Sequence, residues 1–268
     1  MLPSFEQLKS IIIPAAQEEL LPRFAKVKRA EKADGSFLTE ADLAIQARIQ
    51  AALQTQWPQY AFLGEEMSED EQRHVLAHSD SGAWCLDPLD GTSNFAAGVP
   101  YFGVSLSLII KGEIVLGMVY DPNRDECFYA QQGQGAFLNE TRLNVRPQPN
   151  LSKSTALIDF KRLTPELATR LVTEIPYGSQ RSFGSVALDW CWMATGRCHV
   201  YLHGKQNIWD YSAGYLIMHE AGGQSCTLDG DDVFVPQLQA RSAVAALDPE
   251  LYQAWIDYLG ITPKSGKT

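Results

Sequence analysis

Residues 83–95 read AWCLDPLDGTSNF. The apolar run 83–86 predicts a buried strand, and Asp87-Pro88 breaks it, so the Asp87 carboxylate emerges at a sheet edge. Pro88 fixes φ and offers no N–H, which stiffens the turn. Asp90, three residues on, returns to the same side and leaves the Leu89 carbonyl able to face a cation as a neutral oxygen. Gly91 admits a close backbone approach. Thr92 and Ser93 start a helix, whose N–H groups suit an anion. Two carboxylates, a carbonyl and a helix N-terminus within six residues describe a hard-cation site beside a phosphate site. Taken alone, the same letters also read as a structural Asp-Pro turn followed by an Asp cap.

Two further acidic signals stand at the ends of apolar segments. Glu65-Glu66 follows the strand 61–63 through Gly64, and Asp210 follows Trp209 at the start of an apolar helix. Their competing readings are a solvated loop pair and a helix N-cap.

Composition narrows the classes of function. The 268 residues carry 22 Lys+Arg against 32 Asp+Glu, a net charge of −10, and 45% are hydrophobic. A disordered chain is excluded, and the acidic balance argues against binding nucleic acid or anionic lipid. No run reaches the ~18 apolar residues of a membrane span. Residues 1–9 lack the basic start and cleavage site of a signal peptide. Five cysteines without a CxxC pair predict buried, reduced thiols in a cytoplasmic protein and argue against zinc.

Apolar periodicity predicts a helix over 4–24, kinked or split by Pro14, and a loop or short hairpin over 28–38. Thr39 caps a helix that carries Glu40 and Asp42 in its first turn and stops at Trp57-Pro58. Residues 67–82 are polar and read as irregular. Strands follow at 103–110 and 113–120, joined as a hairpin at Lys111-Gly112, then at 127–130 and 133–138. The first half is thus helices on a largely antiparallel sheet. After the Pro-rich stretch 146–153 the pattern alternates: strand 155–158, helices 165–174 and 185–195, strand 198–202, helix 211–221, strand 243–247 and helix 249–259. The stripe Tyr252, Trp255 and Tyr258 in the last helix reads as core. The division is into residues 1–148, holding most of the acidic signals, and 149–268, contributing Asp210 and a substrate pocket.

The ordered set Thr39-Glu40-Ala41-Asp42, Gly64-Glu65-Glu66, residues 84–95, Trp209-Asp210-Tyr211-Ser212-Ala213-Gly214 and Glu220-Ala221-Gly222-Gly223 resembles the inositol monophosphatase family of Mg²⁺-dependent, lithium-sensitive sugar phosphatases. The resemblance spans nearly the whole chain. It implies an α+β fold, a layered α/β/α/β/α sandwich shared with fructose-1,6-bisphosphatase, usually as a homodimer. It implies Glu65, Asp87 and the Leu89 carbonyl as ligands of a first Mg²⁺, and Asp87, Asp90 and Asp210 as ligands of a second. Glu65 would also hold a third, making two to three ions per site, with Glu66 in support. Gly91 and Thr92 would meet the phosphate, and Glu65 and Thr92 would orient an attacking water in line, without a phospho-enzyme. An aspartyl-phosphate route wants a D-x-D pattern, whereas the spacing here is D-x-x-D.

Some positions depart from that pattern. Asp34, five residues before Thr39, is the candidate for a water-positioning aspartate, or else a turn residue beside Gly35. Inositol-selective relatives carry Glu seven residues before the Trp-Asp aspartate, where this chain has His203, either a substrate contact or a loop-edge histidine. Lys205 would meet a second phosphate or lie in solvent. Ser185 would line the substrate pocket or simply cap a helix. The expected function is a Mg²⁺-dependent phosphomonoesterase acting on a small sugar or polyol phosphate. Histidinol phosphate, fructose-1,6-bisphosphate or a nucleotide phosphate are alternative substrates, although Ser93-Asn94-Phe95 departs from the Lys-Glu-Phe of sulfur-assimilation nucleotide phosphatases. A regulatory protein linked to RNA or transcription is the alternative of another class.

Overall fold

A computed structural model describes residues 2–27, 30–31, 37–79 and 81–264. In chain order its elements are α1 (Phe5–Glu19), β1 (Ala30–Glu31), β2 (Phe37–Leu38), α2 (Glu40–Gln56), β3 (Ala61–Gly64), α3 (Glu69–His78) and β4 (Ala83–Asp90). Next come α4 (Thr92–Ala97), β5 (Gly103–Ile110), β6 (Glu113–Asp121), β7 (Glu126–Gln131), β8 (Gly135–Leu138) and β9 (Thr141–Arg142). The second half holds β10 (Thr155–Asp159), α5 (Pro165–Thr173), β11 (Ser179–Arg181), α6 (Val186–Ala194), β12 (Val200–Gln206), α7 (Ile208–Glu220), β13 (Gln224–Cys226), β14 (Arg241–Ala246) and α8 (Pro249–Leu259). Among the described residues no helix is long and apolar enough to cross a membrane.

Residue alternation along the strands sets the layers, because successive side chains point to opposite faces. The seven-stranded sheet runs β3-β4-β5-β6-β7-β8-β9 and is antiparallel except for β3 with β4. Trp84 and Leu86 of β4 pack with Leu106, Leu108, Leu116 and Met118 against Leu8, Ile12, Ile45 and Ile49 of α1 and α2. Cys85, Val119 and Phe128 face the other way, onto Trp190, Tyr211 and Ile217 of α6 and α7. The second sheet, β11-β10-β12-β14-β13, repeats the alternation. Leu157, Tyr201, Ala243 and Ala245 join the central core, whereas Ile158, Leu202, Val244 and Ala246 pack on Leu171, Leu251 and Trp255 of α5 and α8. The result is the expected layered sandwich: helices, sheet, helices, sheet, helices.

Helix α7 lies deepest, and small residues let it in. A Cβ on Gly117 would stand 2.8 Å from the Ala213 carbonyl oxygen, and one on Gly214 only 2.5 Å from Trp190 Cβ. Ser107 and Ser212 share a hydrogen bond of 2.8 Å across the same contact.

Three sequence expectations change. Helix α1 runs unbroken through Pro14, because Ile11, Ile12, Ala15 and Ala16 are buried on both sides of it. Tertiary burial of that face outweighs the lost N–H. Residues 69–78 form α3 rather than an irregular segment, opened by a capping box between Ser68 and Glu71. Strand β4 does not end at Asp87; it continues to Asp90, with its register against β5 shifting between those two residues. Tyr252 and Trp255 are buried, as the core reading of that stripe requires, and all five cysteines are buried and unpaired.

Gly117→Ala is expected to destabilise the fold by about 1–3 kcal/mol, since the added methyl meets backbone rather than a movable side chain. Urea unfolding should show a lower midpoint with an unchanged slope.

Candidate active site

Strands β3 and β4 run parallel with Gly64 opposite Leu86, and the Glu65 N–H donates to the Leu86 carbonyl at 3.1 Å. Glu65 and Asp87 therefore leave the same sheet edge side by side. Gly64 has no room for a side chain: a Cβ would lie 2.8 Å from the Gln46 carboxamide carbon and 2.9 Å from the Phe62 ring. Two buried glutamines pin the turn that follows. The Glu66 N–H donates to Gln46 Oε1 at 3.1 Å, and Gln72 Nε2 donates to the carbonyls of Gly64 at 2.9 Å and Glu65 at 3.1 Å.

The β4 bulge delivers the next carboxylates. Asp87 Oδ1 accepts the Leu89 N–H at 2.9 Å. Asp90 Oδ2 accepts the Ser185 hydroxyl at 2.5 Å and the Ala187 N–H at 2.7 Å, which ties it to the start of α6. Ser185 is thus both the cap of α6 and a donor to Asp90. Asp210 is the third residue of α7, and its Oδ2 accepts the Asn207 N–H at 2.8 Å as half of a capping box. The cap reading of Asp210 is therefore correct in part; Asn207 holds the N-cap position itself, and Asp210 lines the cleft as well.

Glu65, Asp87, Leu89, Asp90, Gly91, Thr92, His203 and Asp210 line one cleft of about 430 Å³. Asp159, Lys161, Arg162, Lys205 and Asn207 also line it. A larger hollow between α3 and residues 236–239 gathers no comparable chemistry. Glu66 does not line the cleft, and Asp34 lies outside the described residues.

Thr92 opens α4 behind Gly91, whose φ of +93° is a left-handed conformation that favours glycine. The Thr92 hydroxyl lies 3.0 Å from the Leu89 carbonyl oxygen and 3.2 Å from Asp42 Oδ1, and can donate to either. Asp42 is fully buried and held in turn by the N–H and hydroxyl of Thr39, at 2.7 and 2.5 Å. Sequence reasoning placed Asp42 only in the first turn of its helix. The T-x-x-D capping box was the visible signal; the contact with Thr92, fifty residues away, was not.

Crowding dominates the electrostatics. Burial, then the charges of Glu65, Asp90 and Asp210, drive the Asp87 carboxyl well above its usual range. Burial, then the charges of Asp90 and Glu65, do the same to Asp210. Burial pushes Asp90 up to about 6 even against the hydrogen bonds from Ser185 and Ala187. Such a cluster of hard oxygens is suited to a hard divalent cation, which removes the repulsion.

The His203 ring sits opposite Asp159, with Nε2 3.3 Å from Oδ2, while Nδ1 accepts the Lys205 N–H at 3.2 Å. Burial alone would raise Asp159, but the hydrogen bond from His203 and the Lys161 N–H hold it below its usual range. Asp159 ends the apolar strand β10, a signal present in the sequence.

The sequence profile of the Inositol monophosphatase family matches residues 4–259. An "Inositol monophosphatase 1" from Solanum lycopersicum is 33% identical, with 97% of each chain covered. A "Nus factor SuhB" from Pasteurella multocida is 35% identical over 74% of each. Among solved structures, the extragenic suppressor protein suhB from Bartonella henselae superposes with a TM-score of 0.80 at 27% identity, covering 95% of this chain and 97% of that one. SaIMPase-II with inositol monophosphate bound gives 0.79 at 26% identity, covering 96% and 93%.

In metal-free buffer the folded chain holds protons on Asp87, Asp90 and Asp210 that an unfolded chain releases near 3.8. Their contribution is therefore fully present below that value and is lost as pH rises through the folded values, about 6 for Asp90. With EDTA present, Tm should fall as pH rises from about 4 through about 6, and a saturating divalent cation should flatten that fall. Buried Asp189, also pushed well up by burial, leaves a residual slope that the cation does not remove.

Proposed function

The chain belongs to the inositol monophosphatase family, and from that premise we propose that it is a Mg²⁺-dependent phosphomonoesterase acting on a small sugar or polyol phosphate. The observation that carries this reading is the gathering of Glu65, Asp87, Asp90 and Asp210 in one cleft with Gly91 and Thr92. In this reading Glu65, Asp87 and the Leu89 carbonyl would hold one ion, and Asp87, Asp90 and Asp210 a second. When bound, Mg²⁺ would neutralise the phosphate oxygens and make a nearby water more acidic.

The chain's own groups supply the rest. The N–H groups of Gly91 and Thr92 would hold the phosphate at the start of α4. Asp42, fixed by Thr39, holds the Thr92 hydroxyl in place, and Glu65 would orient the attacking water and take up its proton. His203, with Nε2 turned to Asp159 and Nδ1 to the Lys205 N–H, would present a rigid edge to the substrate. Ser185 acts through Asp90 rather than on substrate. Lithium sensitivity, a homodimeric state and a cytoplasmic location are further parts of this reading.

Relatives named Nus factor SuhB support a second, regulatory reading alongside catalysis. Co-purification with transcription or ribosomal proteins, combined with no turnover on a panel of phosphate esters, would put that reading first.

Asp90→Asn should lower phosphate release by about a hundredfold or more with Mg²⁺ present, and EDTA should abolish release in the unaltered chain. Activity that survives either change would sink the metal-dependent reading. Asp42→Asn should lower kcat about tenfold or more while leaving KM within a few-fold, since Asp42 positions Thr92 without touching substrate. Steady-state kinetics separates the two effects.

A further inference from the structure

The cleft that gathers the carboxylates is also lined by cations. Lys161, Arg162 and Lys205 line it, in a chain whose net charge is −10. All three side chains are exposed, and among the described residues none of them makes an ion pair or a side-chain hydrogen bond. All three line the cleft, held in no direct ion pair among the described residues.

Their backbone is fixed from several directions. Lys161 and Arg162 belong to a 3₁₀ turn, Phe160–Arg162, capped by Asp159, whose Oδ1 accepts the Lys161 N–H at 3.1 Å. Gly204 lies directly against that turn: a Cβ there would run into the Arg162 carbonyl and stand 3.2 Å from the Leu163 nitrogen. The register of β12 against β14 shifts between His203 and Gln206, which takes Lys205 out of the regular ladder. His203 links the two segments, through Asp159 on one side and the Lys205 N–H on the other. Arg162 lies within electrostatic reach of the reaction centre, since its charge favours the ionised forms of Asp159 and Asp210.

We propose that Lys161, Arg162 and Lys205 form an anion subsite, and that the substrate is a sugar or polyol carrying two phosphates, one cleaved at the carboxylate cluster and the other held by these three cations. The proposal rests on the phosphomonoesterase reading. A neutral polyol would be met by hydroxyl and carbonyl partners and would leave three positive charges without a role, whereas a phosphate dianion accepts charge-assisted hydrogen bonds from all of them. In the reaction, water adds to phosphorus as the ester P–O bond breaks, and the leaving oxygen takes up a proton. The products are inorganic phosphate and a sugar monophosphate that still carries the anchoring group.

The test compares matched esters on the full chain with Mg²⁺: fructose 1,6-bisphosphate against fructose 1-phosphate, and inositol 1,4-bisphosphate against inositol 1-phosphate. The bisphosphate of at least one pair should have a kcat/KM about tenfold or more higher, with a steeper decline in added KCl. The combined Lys161→Ala, Arg162→Ala, Lys205→Ala variant should collapse that ratio toward one, and the charge-keeping Arg162→Lys, Lys205→Arg variant should restore most of it. Equal kcat/KM within both pairs, or a ratio that survives the triple variant, overturns the subsite while leaving the phosphatase reading intact. If no ester is hydrolysed, calorimetric titration of the same proteins reads the subsite directly. Tighter binding of a bisphosphate that is lost in the triple variant keeps the subsite and sinks the phosphatase reading; no difference in binding sinks both.

Discussion

Glu65, Asp87, Asp90 and Asp210 are drawn into one cleft against their own repulsion, and much of the surrounding architecture exists to hold them there. Like charges taken out of water favour protonation or separation. Here separation is opposed by hydrogen bonds that the three aspartates accept from backbone N–H groups and from the Ser185 hydroxyl. Asp90 takes two donors at the start of α6, Asp210 takes one at the start of α7, and Asp87 takes one from its own bulge. Hydrogen bonds to a charged group are worth about 1.5–3 kcal/mol each, enough to hold a geometry that the charges oppose. The unfavourable energy left over is what a divalent cation would relieve.

The scaffolding is distributed across the layers. Glu65 depends on the Gly64 turn and on Gln46 and Gln72, which reach it from α2 and α3. Thr92 depends on Asp42, one turn before Gln46 on the same α2. The cations depend on the Asp159 cap, on Gly204 packed against the 160–162 turn and on His203 between the two segments. Reaction centre and rim are therefore positioned by different parts of the fold, so specificity at the rim can change without disturbing the carboxylates.

Much of this was legible in the sequence, and the exceptions have physical causes. Strong apolar alternation announced β5, β6, β10 and β14, and strand-end carboxylates announced Glu65, Asp87, Asp90 and Asp210. Helix α3 escaped because its polarity hides periodicity; only the Ser68–Glu71 capping box marks it. Pro14 read as a kink or a split, and the split is avoided where burial flanks it on both sides. Asp42 read as an acidic residue in the first turn of α2, where it lies, and its contact with Thr92 is tertiary. Asp159, Lys161, Arg162 and Lys205 come together through strand pairing and a glycine contact that no local pattern encodes.

The burial of α7 between the two sheets has a consequence for folding kinetics. Glu65, Asp87 and Asp90 come from one short stretch of chain, while Asp210 arrives only when a helix 120 residues further on docks against β5 and β6. Contacts of such long sequence separation form late. If the acidic cluster is completed only after the main barrier has been crossed, a ligand that binds it has little hold on the rate of folding. Its stabilisation would be expressed in the rate of unfolding, so the loaded protein would differ from the empty one chiefly in how long it survives.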